Sequence, residues 1–367
     1  CHHNNEHSAD DVFVDFLYVD SSKEDLLGID KEGKHLLSFK KKWSTQGHSI
    51  ALRAEQTLFI GGLESEKITN LYKYHNLNSF YTEQDKEDTA RGMGQIIGAG
   101  IGGQRRRFGR MLFSNNSTGE NSFNARINNR MENLRQEGKK HGDNSGNVTF
   151  HICAGLGGGT GSGTIIDAIS QIRHMYSQDG NEDQYRICLY LYVPEALKNL
   201  ERDKEGFYRP NGYAALSELN ALSVGAYHPI DITDKREVEA EEKRIKDAGF
   251  EAAYIYTNRN YAGNQYGLDE LPKIAADFLF QKLFAGISAR FESNENVGAS
   301  PEEINKIPVH SRKFLSFGIK RLIYPEIEIQ EYASYEYSYV AAMQMIYGWP
   351  KGAQYPVAIP YDNVDVS

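Results

Sequence analysis

Between two apolar segments the chain runs Gly157-Gly158-Gly159-Thr160-Gly161-Ser162-Gly163, and this run limits the available folds more than any other feature. The segment before it, Val148 to Leu156, is a β-branched, apolar run that reads as a buried strand. The segment after it, Thr164 to Tyr176, places Ile165, Ile166, Ala168, Ile169, Ile172 and Met175 on roughly one side of a helix. A flexible linker would not be flanked in this way, so the glycines form a tight strand-to-helix turn. Glycines there let several backbone N–H groups converge without Cβ obstruction. A helix starting near Ser162 adds the positive end of its dipole, and Thr160 and Ser162 add hydroxyl donors. The expected result is an anion site suited to a di- or triphosphate. A Walker loop is excluded, because Gly163 is followed by Thr164 and Ile165 rather than Lys and Ser/Thr. The dinucleotide fingerprint wants an acid ~20 residues on; Asp179 and Asp183 lie past the helix.

Other segments alternate in type. Strands are expected at Val12–Val19, Thr57–Ile60, Arg186–Val193, Ala252–Thr257 and Phe314–Ile323. Helices are expected at Ser122–Glu137, Tyr213–Val224, Leu268–Arg290 and Ile327–Ile346, and from about Glu64. This alternation predicts an α/β protein with a mostly parallel sheet covered by helices on both faces. Three regions are expected: a nucleotide-binding domain at 1–265, a long central helix at 266–290, and a second α+β domain at 291–367 that is short for a complete one. With 40% hydrophobic and 25% charged residues the composition is globular. A net charge of −9 argues against duplex nucleic acid as the main partner. No apolar stretch is long enough to span a membrane. Three cysteines, Cys1, Cys153 and Cys188, cannot build a disulfide framework. Cys153 and Cys188 sit in apolar strands and read as buried free thiols, which points to a reducing, cytoplasmic compartment.

The string Ala154-Gly155-Leu156 with Gly157–Gly163 resembles the signature loop of the tubulin/FtsZ superfamily, which wraps nucleotide phosphates. Other pieces agree in order. Val14–Val19 followed by Asp20-Ser21-Ser22 resembles the second strand and the loop whose acid lies near nucleotide and metal. Gly98 to Gly103, with Gly100, Gly102 and Gly103, resembles the third loop that faces the γ-phosphate. Val193-Pro194-Glu195 is similar to the loop near the ribose, and Asn211, Tyr213 and Asn258 fall where base or ribose contacts are placed. The Arg-rich string Gly103 to Arg110 and the Ser316-Phe317-Gly318 strand are most similar to the divergent bacterial tubulin-like proteins. Arg105, Arg106, Arg107 and Arg110 beside a phosphate-facing loop are read as anion or inter-subunit contacts in preference to a solvated loop.

The resemblance implies GTP or GDP with Mg²⁺ as cofactors, Asp20 near the metal, and a homo-oligomer or filament in which GTP is hydrolysed between subunits. Partner proteins are a further expectation. The family's catalytic acids follow the long helix; here that region offers Glu292 and Glu295, which compete with plain surface carboxylates. The family's first strand and its glycine-rich first loop have no counterpart ahead of Val12. Two readings stay open: an assembling GTPase, and a non-hydrolysing nucleotide-binding scaffold or sensor in a larger complex. An ordinary dinucleotide-dependent enzyme is a third. The tyrosines at 332, 335, 337 and 339 read as packing or subunit contacts, and Cys1, His2, His3 and His7 lack the spacing of a zinc site.

Overall fold

The computed structural model describes residues 13–22, 26, 39–40, 49–50, 54–61, 105–143, 146–177, 185–194, 203, 206–233, 245, 249–267, 270–284, 295, 313–319 and 325–347. Three strand groups occur among them. A parallel pair joins β1 (Tyr18–Asp20) to β4 (Thr57–Phe59), and a short antiparallel pair joins β2 (Phe39–Lys40) to β3 (Ser49–Ile50). The main sheet is fully parallel, in the order β5 (Val148–Gly155), β6 (Tyr185–Val193), β7 (Ala252–Thr257) and β8 (Phe314–Leu315). Helices α1 (Arg106–Asn115), α2 (Phe123–Lys140), α3 (Gly159–Ser177), α4 (Tyr208–Ser223), α5 (Leu271–Phe284) and α6 (Glu326–Tyr347) complete the described elements. The expected α/β class with a parallel sheet is what the chain adopts.

Alternation along β6 explains the layering. Ile187, Leu189 and Leu191 point into the core shared with Ile165, Ile169 and Ile172 of α3, Ile127 and Met131 of α2, and Leu219 of α4. Cys188 and Tyr190 point the other way, against Tyr254 of β7 and Phe278 of α5. Each β-strand side chain leaves the sheet on the face opposite its neighbour's, so a run that is apolar at every position requires cover on both sides. On the α5 side the cover is aromatic: Tyr190 stacks on Tyr254 at 5.4 Å, and Phe278 lies parallel to Phe317 at 4.1 Å.

Several boundaries differ from the expectation, each for a physical reason. β1 begins at Tyr18 rather than Val12, because Asp15 is drawn into an ion pair with Arg130 of α2 and only 18–20 pair with β4. Strand β8 ends at Leu315, where its pairing with β7 stops. Helix α3 begins at Gly159, so most of the glycine run is already helical. Helix α1 was not expected at all. Cys188 is buried as expected, but Cys153 is exposed: it lies on β5, the last strand of the main sheet, and faces a groove. The helix expected from Glu64, the loop with Gly100, Gly102 and Gly103, and Glu195 and Glu292 all lie outside the described residues.

The chain divides into two compact units, 1–317 and 318–367. Within the first unit Phe314 and Leu315 pair with β7, and α5 packs on the sheet through Phe278. The second unit contains α6, on which Tyr332, Tyr335, Tyr337 and Tyr339 are exposed. No described helix is long and apolar enough to cross a membrane.

Candidate nucleotide site

Strand β5 delivers the chain to the glycine turn, and Leu156 N–H still donates to Tyr192 O at 2.8 Å, so the turn starts from a fixed point. From there the glycines divide by role. A Cβ at Gly161 would overlap the Gly155 carbonyl, and one at Gly163 would overlap the Arg106 carbonyl of α1. Gly109 on α1 is the counterpart, where a Cβ would overlap the Gly159 carbonyl. Gly109 and Gly163 let α1 and α3 approach backbone to backbone, and Gly161 lets α3 close on the end of β5. Gly157 is hemmed by Pro194 and Tyr208, whose atoms would lie 2.9 and 3.1 Å from a Cβ. Gly158 is different: nothing lies within 4 Å of the position a Cβ would take, so the backbone there faces open space.

Polar contacts hold the turn from several sides. The Asn211 side-chain amide of α4 donates to Gly157 O at 2.8 Å. Ser162 Oγ donates to Gly158 O. Ser21 Oγ, just past β1, meets Thr160 Oγ1 at 2.7 Å, which brings the C-terminal ends of β1 and β5 together. Arg106 grips Ser162 O through Nε and Nη2 at 3.2 and 2.9 Å while pairing with Glu218 of α4. Arg110 makes a two-pronged ion pair with fully buried Asp167 of α3 at 2.7 and 2.8 Å. Burial works against the Arg110 charge, but Asp167 outweighs it and holds the guanidinium pKa above its usual value. Two of the four arginines read as anion contacts are therefore tied to partners that brace α1 on α3 and α4.

Asp20 lies at the same end of the structure. Its carboxylate accepts from Ser22 N–H at 2.9 Å and from Tyr18 OH at 3.1 Å, so it closes a turn of its own backbone. Tyr213, near the start of α4, is 77% exposed, whereas Asn258, directly after β7, is buried. Both follow the C-terminal ends of parallel strands, the end of an open α/β sheet where ligands collect.

Glu295 is 3% exposed, on the α5 side of the sheet. Its carboxylate is held by Lys282, by Arg186 at 2.9 Å and by Tyr254 OH at 2.8 Å. With Arg186 and Lys282 it lines part of the same groove as the glycine turn.

A groove of about 1270 Å³ runs from this turn along the structure. It is lined jointly by 13–20, which lead into and include β1, and by the whole of β5. Asp20, Gly157–Gly161, Pro194 and Tyr208 line it too, so the turn opens onto it.

A parallel α/β sheet with a glycine turn and a long helix at the carboxyl end of its first long strand defines a class: open-sheet α/β proteins with a glycine-rich strand-to-helix turn. Within that class the chain belongs to the tubulin-like family, whose model, described as "Tubulin like", matches residues 4–343. None of the curated proteins matches this sequence.

Sequence reasoning found the glycine turn and overlooked what holds it. The sequence reads Arg106 as an anion or inter-subunit contact and Asn211 as a base or ribose contact; in the structure both donate to the turn's backbone carbonyls. The usable signal was Gly109 in Arg106-Arg107-Phe108-Gly109-Arg110, a glycine at close-packing distance along a helix that also carries two arginines one turn apart.

Proposed function

We propose that the protein binds GTP or GDP with Mg²⁺ at the Gly157–Gly163 turn and assembles with copies of itself, hydrolysing GTP between subunits. The observation that carries this reading is Gly158, the position in the turn where a Cβ would project into open space. A turn needed only for packing would have side chains or backbone against every glycine. With the carbonyls of Gly157 and Gly158 captured by Asn211 and Ser162, the N–H groups of Gly158 and Gly159 face away from those captors and suit phosphate oxygens. Thr160 and Ser21 supply hydroxyls beside them, and the Asp20 carboxylate lies on the metal side. Bound GTP supplies the phosphoanhydride. The turn orients it and offsets its charge, which is most of what a protein contributes to phosphoryl transfer. In this reading Tyr213 and Asn258 contact the base or the ribose. Free cysteines at 153 and 188 fit a reducing, cytoplasmic setting.

A second reading has its own support. The ion pairs of Glu295 with Arg186 and Lys282 weigh against it as the acid that activates water, which leaves Glu292. That favours a nucleotide-binding scaffold or sensor without turnover.

Phosphate release from GTP, followed over a range of protein concentrations with light scattering in parallel, separates the two. Release that rises faster than linearly, with scattering, is the expected outcome. Nucleotide binding without release supports the scaffold. Failure to bind GTP or GDP at all overturns both.

A further inference from the structure

We propose that Asn211 is a positioning residue that aims the Gly158 N–H at the phosphates, and not a reader of base or ribose. This inference rests on the nucleotide reading above and adds the device that shapes its phosphate site.

The reasoning starts from the peptide bond. A trans peptide is planar and holds its C=O and N–H on opposite sides, so fixing one fixes the other. No cis peptide is present among the described residues. The Asn211 amide donates to Gly157 O at 2.8 Å and turns that carbonyl toward α4. The N–H of Gly158 belongs to the same peptide plane and must point away from α4. It does so at Gly158, where nothing lies within 4 Å of the position a Cβ would take.

Asn211 is well placed to impose this orientation. It is 7% exposed, and its own N–H is fixed to Phe207 O at 2.9 Å at the start of α4. Tyr208, three residues earlier on the same helix face, also packs close to Gly157. Pro194 completes the clamp. Gly157 is thus held in place by Tyr208 and Pro194, while Asn211 sets its rotation. Glycine has no Cβ to limit its peptide rotation, so without the amide the Gly157–Gly158 plane has more orientations to sample.

Three variants of the full chain test this. Asn211→Ala removes the donor. Asn211→Asp keeps the size but sets an acceptor against the Gly157 carbonyl. Ser217→Ala, on the exposed side of α4, is the comparison and should leave affinity and exchange at the parent's values. Affinities for GMP, GDP and GTP are measured by competition with a fluorescent GTP analogue. Hydrogen exchange is measured in parallel on the nucleotide-free protein over residues 156–165.

Asn211→Ala is expected to weaken GTP by about five- to tenfold, the worth of one hydrogen bond. The loss should shrink from GTP to GMP, Asn211→Asp should be at least as severe, and exchange at 157–159 should rise in both. Equal losses for all three nucleotides, or a changed preference between GTP and ATP, would show Asn211 reading the nucleoside and overturn the proposal. Unchanged affinity and exchange would overturn it as well. Should the unaltered protein bind none of the three nucleotides, the nucleotide reading fails by itself. The exchange comparison then decides alone whether Asn211 sets the turn.

Discussion

At the scale of single residues, glycines that look equivalent in the sequence do unequal work. Gly161 and Gly163 are required by backbone packing, Gly157 by Pro194 and Tyr208, and Gly158 by nothing in the protein itself. Gly163→Ala gains about 1 kcal/mol of helix propensity. It must also push α1 off α3, which overpacking values put at about 1–3 kcal/mol or more when the obstacle is backbone. A lower thermal unfolding midpoint is therefore expected for Gly163→Ala, with Gly158→Ala left near the parent's; differential scanning calorimetry of the two variants checks the contrast. The string announced a strand-to-helix turn because only glycine tolerates such crowding. It could not announce which glycine meets backbone and which meets open space, since that depends on α1, 50 residues earlier in the chain. Cys153 was misjudged for a related reason: apolar sequence marks a strand, not whether both of its edges are covered.

Among the elements, β7 was legible to the residue, and α2 nearly so, with Ser122 Oγ capping Ala125 N–H as its sequence suggests. Helix α1 was not legible. Arg105-Arg106-Arg107 followed by Phe108-Gly109 has the look of a loop, and an isolated ten-residue helix is marginal in water. Docking makes it a helix: Phe108, Met111, Leu112 and Phe113 are buried, Arg106 reaches Glu218, and Arg110 reaches Asp167. Asp167 has no exposed side-chain surface, so Arg110→Ala would leave a buried carboxylate uncompensated. The expected cost is about 3–5 kcal/mol. Adding Asp167→Asn should recover part of it, because a neutral amide is cheaper to bury. Urea unfolding of the single and double variants gives both numbers, and a double variant no more stable than the single would refute the pairing.

The molecule as a whole carries a pH signature from the back of its sheet. His151 of β5 meets Tyr190 OH at 3.0 Å, and burial, with Lys282 nearby, pushes its pKa down to about 4. A histidine depressed in the folded state stays neutral while the unfolded chain takes up the proton. Its contribution is therefore complete above about pH 6.5 and is lost as pH falls toward 4. Between pH 7.5 and pH 5 that amounts to about 2 kcal/mol of stability. His151→Phe should flatten this part of the profile, measured as urea midpoints at the two pH values. The parallel sheet was readable from alternating strand and helix patterns, whereas the division at 317 was not, because two short residues of β8 decide it through pairing with a strand 60 residues away. One consequence concerns how assembly is to be recognised. Residues 13–20 and β5 line the same groove, and Val14 and Phe16 there stand 41% and 60% exposed. Exposed apolar side chains of this kind associate with or without ligand. Turbidity in a tube of this protein thus has two origins to separate, and only the part that follows the nucleotide, appearing with GTP and reversing after its removal, counts for the proposed assembly.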